Sequence, residues 1–228
     1  HAWCWGASGT PRSALCGAGD STTRCETPVA VAGAHAFVRL RAGRSHACGV
    51  TSSGEVWCWG FRGHGALGDG LTVGFASEPV RTGSFDDATD VALGSNHTCV
   101  LEAGRVHCVG LGTSGQLGRG TSSTSSTFGP VADLDDATAL RCSHTTCFAR
   151  RTSGGWVAWG NDNGLLGTAV RTPQSTTPVA AAHGSTSEEL WLGRQSACAR
   201  RGRGLACWGL AGGWEQRALP PSSVRPAF

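Results

Sequence analysis

A tripeptide and its near relatives recur along the chain: Cys4-Trp5-Gly6, Cys58-Trp59-Gly60, Cys108-Val109-Gly110, Ala158-Trp159-Gly160 and Cys207-Trp208-Gly209. The glycines at 6, 60, 110, 160 and 209 are separated by 54, 50, 50 and 49 residues. A constant period of this size marks a repeat architecture, in which one supersecondary unit is copied along the chain. Three other landmarks keep the same phase. Just downstream lie GHGALGDG (63–70), GTSGQLGRG (112–120) and NDNGLLG (161–167). Just upstream lie AGRSHAC, LGSNHTC, RCSHTTC and LGRQSAC, ending at Cys48, Cys99, Cys147 and Cys198. Before these come DDATDVALG (86–94) and DDATALRC (135–142).

Every unit therefore reads as a Gly-x-Leu-Gly loop, a variable Ser/Thr/Pro-rich stretch, a Pro-Val element, an apolar strand and a hairpin. The Pro-Val pairs are Pro28-Val29, Pro79-Val80, Pro130-Val131 and Pro178-Val179. No helical periodicity of useful length is present. Short strands with Gly-rich turns at a period near 50 predict an all-β fold, a β-propeller of short antiparallel blades. Such a unit cannot bury its apolar face alone, so neighbours must stack. Placing the boundaries at the cysteine hairpins gives one repeat domain over 1–228. It holds a partial unit at 1–43, full units at 44–94, 95–142 and 143–193, and a partial unit at 194–228. Four to five blades are thus expected, and the half hairpin at the start, at Cys4, suggests an incomplete piece of a longer propeller, with a five-unit ring or an open solenoid-like arc as the alternatives.

The hairpins specify their own register. Pairing Cys99 with Cys108 sets Val100 opposite His107, Leu101 opposite Val106 and Glu102 opposite Arg105, leaving Ala103-Gly104 as a two-residue turn. The apolar and opposite-charge pairs are chemically consistent. The same construction pairs Cys198 with Cys207, leaving Gly202-Arg203, and Cys48 with Cys58, leaving Ser52-Ser53-Gly54. Trp59 then faces Ala47, Trp57 faces Gly49 and Trp208 faces Ala197. Opposed cysteines at close-paired strand positions suit a disulfide. In the fourth unit this alignment sets Cys147 opposite Ala158, so Cys142, placed at the glycine position of the other units, is the expected partner of Cys147. Cys16 and Cys25 flank GAGDSTTR and are expected to pin that loop. Cys4 falls outside these pairs, its hairpin partner expected before residue 1.

The pattern G-x-x-H-x-C, hairpin, V-x-C-W-G, G-x-L-G resembles the regulator of chromosome condensation repeat family, most of all its cysteine-bearing bacterial form. The resemblance runs over nearly the whole chain and implies a propeller. Members of that family include an exchange factor for a small GTPase, propellers attached to ubiquitin ligases and a secreted inhibitor of β-lactamase. Their binding loops do not match this sequence, so no binding residue carries over.

Composition narrows the function classes. The chain has 11 cysteines in 228 residues, more than a reducing compartment favours, which points to disulfides and an extracytoplasmic setting. That setting disfavours the exchange-factor role. The net charge of +3 gives no electrostatic case for nucleic acid or an anionic membrane. No apolar run of 18 residues exists to insert in a membrane. The chain opens on HAWCWG without an initiator methionine or signal peptide, so a processed product or a fragment is expected.

Each chemical pattern has a plainer structural reading. Gly63-x-Gly65-x-x-Gly68 matches a dinucleotide fingerprint, but the following Asp69-Gly70-Leu71-Thr72-Val73-Gly74 is no helix to meet a pyrophosphate. Cys142, His144 and Cys147 lack the second ligand pair that zinc commonly takes. His46 and His97 share one repeat slot, as do the pairs Asp86-Asp87 and Asp135-Asp136. Recurrence favours structural duty: a histidine bonded to backbone at a turn or blade junction, and aspartates in turns and caps. Asn96-His97-Thr98 fits a glycosylation sequon. Arg200, Arg201 and Arg203 read as a solvated hairpin tip. His64, His107 and His183 are isolated, and no Gly-x-Ser-x-Gly elbow is present. Trp59, Trp159, Trp208, Gly60, Gly110, Gly160 and Gly209 are read as frame positions. No enzyme, cofactor or metal is expected. What varies is the loops at 7–27, 69–78, 119–129, 168–177 and 210–224. Loops on a rigid frame are where binding resides. The leading expectation is a secreted or surface scaffold that binds a protein. The alternatives are a carbohydrate module using Trp3, Trp191 or Trp214, and an enzyme with a site on the central channel.

Overall fold

Among the described residues, alternating apolar residues and Gly-rich turns give seventeen short strands. They are β1 (Trp3–Ala7), β2 (Arg24–Ala30), β3 (Phe37–Ala42), β4 (His46–Thr51), β5 (Val56–Phe61), β6 (Phe75–Arg81), β7 (Ala88–Leu93), β8 (His97–Glu102) and β9 (Arg105–Gly110). There follow β10 (Ser125–Pro130), β11 (Ala137–Ser143), β12 (Thr146–Arg151), β13 (Trp156–Asn161), β14 (Gln174–Ala180), β15 (Glu189–Leu192), β16 (Ser196–Arg201) and β17 (Gly204–Gly209). The computed structural model describes residues 2–7, 16–18, 24–162, 164–166, 173–181, 189–202 and 204–209.

The strands form five antiparallel sheets in chain order: β1-β2, β3-β4-β5-β6, β7-β8-β9-β10, β11-β12-β13-β14 and β15-β16-β17. We call these the first to fifth blades. The inner strands β3, β7, β11 and β15 neighbour one another. The outer strands β6, β10 and β14 carry Pro79, Pro130 and Pro178, which suits an edge that has no further ladder to join. Sheets and sequence units are out of phase by one strand. The unit 44–94 supplies β4, β5 and β6 to the second blade and β7 to the third. The hairpin carries the visible repeat, whereas the inner strand varies in sequence, so hairpin-centred boundaries fall inside each sheet.

The apolar clusters lie between blades. One joins Val50, Val56, Trp59 and Leu67 of the second blade to Val91 and Val100 of the third. The next joins Leu101, Val106 and Leu117 of the third to Leu140, Cys147 and Trp159 of the fourth. A third joins Phe148, Trp156 and Leu166 to Leu190, Ala197 and Ala199. Stability therefore comes from stacking, as a repeat with one-sided units requires.

A polar latch repeats at each of these junctions. The loop carbonyl just before Leu67, Leu117 or Leu166 accepts a hydrogen bond from the next blade. Trp159 Nε1 donates to Gln116 O at 3.0 Å, and Trp208 Nε1 donates to Leu165 O at 2.8 Å. The third blade has Val109 where the others have tryptophan. There the donor moves to the facing strand, and Thr98 Oγ1 donates to Ala66 O at 2.7 Å. A second latch ties hairpin tips to inner strands: Ala88 N donates to Gly54 O at 3.1 Å and Ala137 N to Gly104 O at 2.8 Å. Gly160 shows why glycine ends the tripeptide. Its φ is +102°, and a Cβ would stand 2.2 Å from Thr145 O. Gly60, Gly110 and Gly209 repeat that positive φ.

Candidate functional site

The hairpin cysteines face each other across the strands. Cys48 pairs in register with Cys58, Cys99 with Cys108 and Cys198 with Cys207, each with Cα atoms 4.1 Å apart and the sulfurs at bonding distance. Cys16 and Cys25 are bonded as well, closing the loop beside Gly17 and Val31. Cys4 stands opposite Val29 on β1, half-buried, and burial pushes its thiol pKa up.

The fourth blade corrects the cysteine-centred alignment by one residue. Cys147 faces Trp159, and Phe148 faces Ala158. Cys142 occupies the slot of Ala42 rather than the glycine position, which Ser143 takes. The Cys142–Cys147 bond therefore links inner strand β11 to β12, whereas the Cys48–Cys58, Cys99–Cys108 and Cys198–Cys207 bonds link the second and third strands of their sheets. A buried phenylalanine over an alanine fills the volume of the missing hairpin disulfide.

The repeated histidines are fully buried at blade junctions, and the bonds seen are to side chains rather than to backbone. His46 Nε2 lies 2.9 Å from Thr98 Oγ1. Thr98 gives its single proton to Ala66 O, so the imidazole Nε2–H donates to the hydroxyl. His97 Nε2 lies 3.1 Å from Cys147 Sγ, and a disulfide sulfur has no proton to give, so again Nε2 is the donor. Burial pushes the pKa of His46 down to about 4, with an opposing contribution from the His97 backbone. Burial, then the charges of His46 and His144, push His97 down to about 3. Both imidazoles are neutral packing groups, unsuited to proton transfer near neutral pH.

His97, Cys99, Cys142 and Cys147 bring their ligand atoms within 4.8 Å of one another. His144 is not part of this group, so the trio suggested by spacing is replaced by a group of four drawn from two blades. Its three sulfurs are held in the Cys99–Cys108 and Cys142–Cys147 bonds, and thiolates are what zinc binds. The paired aspartates have structural tasks: Asp86 meets Arg81 at 2.6 Å and Asp136 meets Arg151 at 2.5 Å. The Gly63–Gly68 stretch forms a 3-10 turn between antiparallel strands, with Gly65 against Ser126 of the neighbouring blade, which is no phosphate-binding helix start.

One concave feature emerges that no single stretch of sequence contains. The turns that follow the four inner strands surround a cavity of about 460 Å³. They contribute Gly43-Arg44, Gly94-Ser95, Ser143-His144 and Gly193-Arg194, one repeat slot seen four times. The rim is tied together: Ser95 N donates to His144 O at 2.8 Å, and Ser143 Oγ donates to Gly193 O. Nearby, Asp90 binds Arg41 and Arg141 of the flanking blades at 3.1 Å each. Of the tryptophans suggested for carbohydrate, Trp3 and Trp191 are 58% and 50% exposed. Trp214, His183, Arg203 and the stretch 210–224 lie outside the described residues, as do parts of 7–27 and 168–177. Among the described residues no helix is long and apolar enough to cross a membrane.

Comparison with known proteins places this geometry. Two models of the regulator of chromosome condensation (RCC1) repeat match, one over 53–101 and one over 37–65 and 88–116. The E3 ubiquitin-protein ligase HERC2 of Homo sapiens and that of Mus musculus are each 32% identical over 143 residues, 60% of this chain and 3% of theirs. The chain thus spans a small part of those relatives. Among solved structures, human WBSCR16 superposes with a TM-score of 0.78 at 19% identity, covering 96% of this chain and 60% of that one. Yeast RCC1 (Prp20), solved bound to Kap60, gives 0.74 at 20% identity, covering 91% and 51%. The repeat, the latches and these likenesses agree on the architecture: residues within 37–116 match RCC1 repeats, and the chain shares the β-propeller fold of these solved structures.

Proposed function

We propose that the chain is a non-enzymatic scaffold that works outside the cytoplasm and binds a protein partner through the loops that break the repeat. The observation that carries this reading is the 69–74 loop of the second blade. Leu67, at the root of the loop, is fully buried, while Leu71 and Val73 are 53% and 78% exposed. The equivalent stretch of the third blade, Gly120-Thr121-Ser122-Ser123-Thr124, is polar. Two apolar side chains held out on a stapled frame offer apolar surface for a partner to bury. The disulfide pairs support an oxidising setting. The fold's use elsewhere supports a protein ligand: yeast RCC1 was solved bound to Kap60, and Prp20p was studied for its binding to Gsp1p and histones. The neutral repeated histidines and the paired aspartates held by arginines support a non-catalytic role.

The test is capture of a partner from the extracytoplasmic fraction with the wild-type chain, followed by measurement of its affinity for a Leu71→Ser, Val73→Ser variant. Loss of two buried anchors is expected to weaken binding about 10- to 100-fold, with the melting temperature unchanged. Equal affinity would place the interface elsewhere. A second reading has one observation in its favour. Trp3 and Trp5, two residues apart on β1, are 58% and 64% exposed and offer stacking surface for a sugar. Binding on a glycan array that is lost in a Trp3→Ala, Trp5→Ala variant would favour it.

A further inference from the structure

The axial cavity is built differently from the other charged places in the molecule. Elsewhere arginines meet carboxylates: Arg41 and Arg141 share Asp90 across the blade junctions, while Arg62 meets Asp69 and Arg151 meets Asp136 within their own blades. The cavity lining holds Arg44, His144 and Arg194 and not one carboxylate. Among the described residues neither Arg44 nor Arg194 forms an ion pair or a hydrogen bond. The two guanidinium groups come from the second and fifth blades, at either end of the row of four turns, so they bracket the cavity. Between them stand Ser95 of the third blade and His144 of the fourth.

The rim is fixed before any ligand arrives. The Ser95–His144 and Ser143–Gly193 bonds join the turns of the third, fourth and fifth blades. His144 is held at φ +35°, a left-handed conformation that costs energy for a residue with a side chain. Burial and the charges of Arg194 and Arg44 lower its pKa, which is the mark of positive potential collected in one place. A volume of about 460 Å³ is in the range of small-molecule sites. Arginine pairs match the tetrahedral oxygens of phosphate, with charge-assisted bonds from each fork.

We propose that the axial cavity binds a phosphate-bearing small molecule, its oxyanion held between Arg44 and Arg194 with Ser95 and His144 as further donors. This site is separate from the loop anchor at Leu71 and Val73 and stands or falls independently of it.

The test is a titration of the ¹⁵N-labelled protein with inorganic phosphate, inorganic sulfate and an oligoglutamate peptide, followed by amide shifts. Phosphate is expected to saturate at one site, with shifts confined to residues 43–45, 94–95, 143–144 and 193–194 and a dissociation constant of about millimolar or tighter. Arg44→Ser and Arg194→Ser should each weaken it about 10-fold, a loss typical of one charge-assisted contact. Arg105→Ser, at the exposed hairpin tip of the third blade, should leave it unchanged. Shifts that never saturate, or that fall equally in the Arg105→Ser control, would overturn the proposal. So would tighter binding of the peptide than of phosphate, which would make the cavity a receptor for acidic protein segments.

Discussion

Acidification from pH 7 to pH 4 is expected to strip several kcal/mol of stability from the fold through His46 and His97. Both are buried and neutral, with folded pKa values pushed down to about 4 and about 3 from an ordinary 6.5. The sign follows from which state takes up protons first. As pH falls below 6.5 the unfolded chain protonates these imidazoles while the folded chain does not, so protons favour unfolding. The loss grows by about 1.4 kcal/mol per pH unit for each histidine. It levels off near pH 4 for His46 and near pH 3 for His97. By pH 4 the two together cost on the order of 6 kcal/mol. Urea unfolding at pH 6.5, 5.8 and 5.0 isolates the effect, because carboxylates titrate mainly below this window. A His46→Gln variant retains an N–H to donate to Thr98 and should flatten about half of the slope. A wild-type midpoint that does not move between pH 6.5 and 5.0 would contradict the assignment of neutral buried imidazoles.

Replacing Trp159 by alanine is expected to be the most damaging single substitution in the frame. Its indole is fully buried between the third and fourth blades, faces Cys147 and donates to Gln116 O. The ring also lies against Gly118, where a Cβ would stand 2.9 Å from it. Truncating a buried tryptophan costs about 3–5 kcal/mol. Leaving the Gln116 carbonyl without its donor adds about 1–3 kcal/mol. At about 2–4 °C per kcal/mol for a chain of this size, the melting temperature should fall by roughly 10–30 °C. Trp159→Phe keeps most of the apolar contact and gives up only the donor, so it should show less than half of that loss. Equal melting temperatures for the alanine variant and the wild type would refute the view that indole latches hold the blades together.

The sequence was most informative where the repeat is strict. Opposed cysteines set the hairpin register, and Glu102 does stand opposite Arg105, as Trp57 does opposite Gly49. The fourth blade shows the limit of that reading. Aligning on cysteine misplaces Cys147 by one residue, and one residue in a strand exchanges the two faces of the sheet. The available signal was Phe148, whose bulk over Ala158 repeats the large-over-small pairing of Trp59 over Ala47. The histidine partners were hidden for another reason. His46 meets Thr98 and His97 meets Cys147 across about one whole repeat, and such contacts follow only from stacking. The axial cavity was hidden likewise, although Arg44, Ser95, His144 and Arg194 share one slot and a comparison of that column would have exposed its cationic bias. The 69–74 loop was legible as variable, but only burial separates Leu67, which is core, from Leu71, which is surface.

The central claim is that the cysteines brace a repeating frame and leave recognition to the loops and turns. Non-reducing peptide mapping, with zinc determined on the same sample, tests it directly. The expected bonds are Cys16–Cys25, Cys48–Cys58, Cys99–Cys108, Cys142–Cys147 and Cys198–Cys207, without stoichiometric zinc. Free thiols at Cys99, Cys142 and Cys147 with one zinc per chain would contradict it, and would turn the group around His97 from a packed junction into a metal centre.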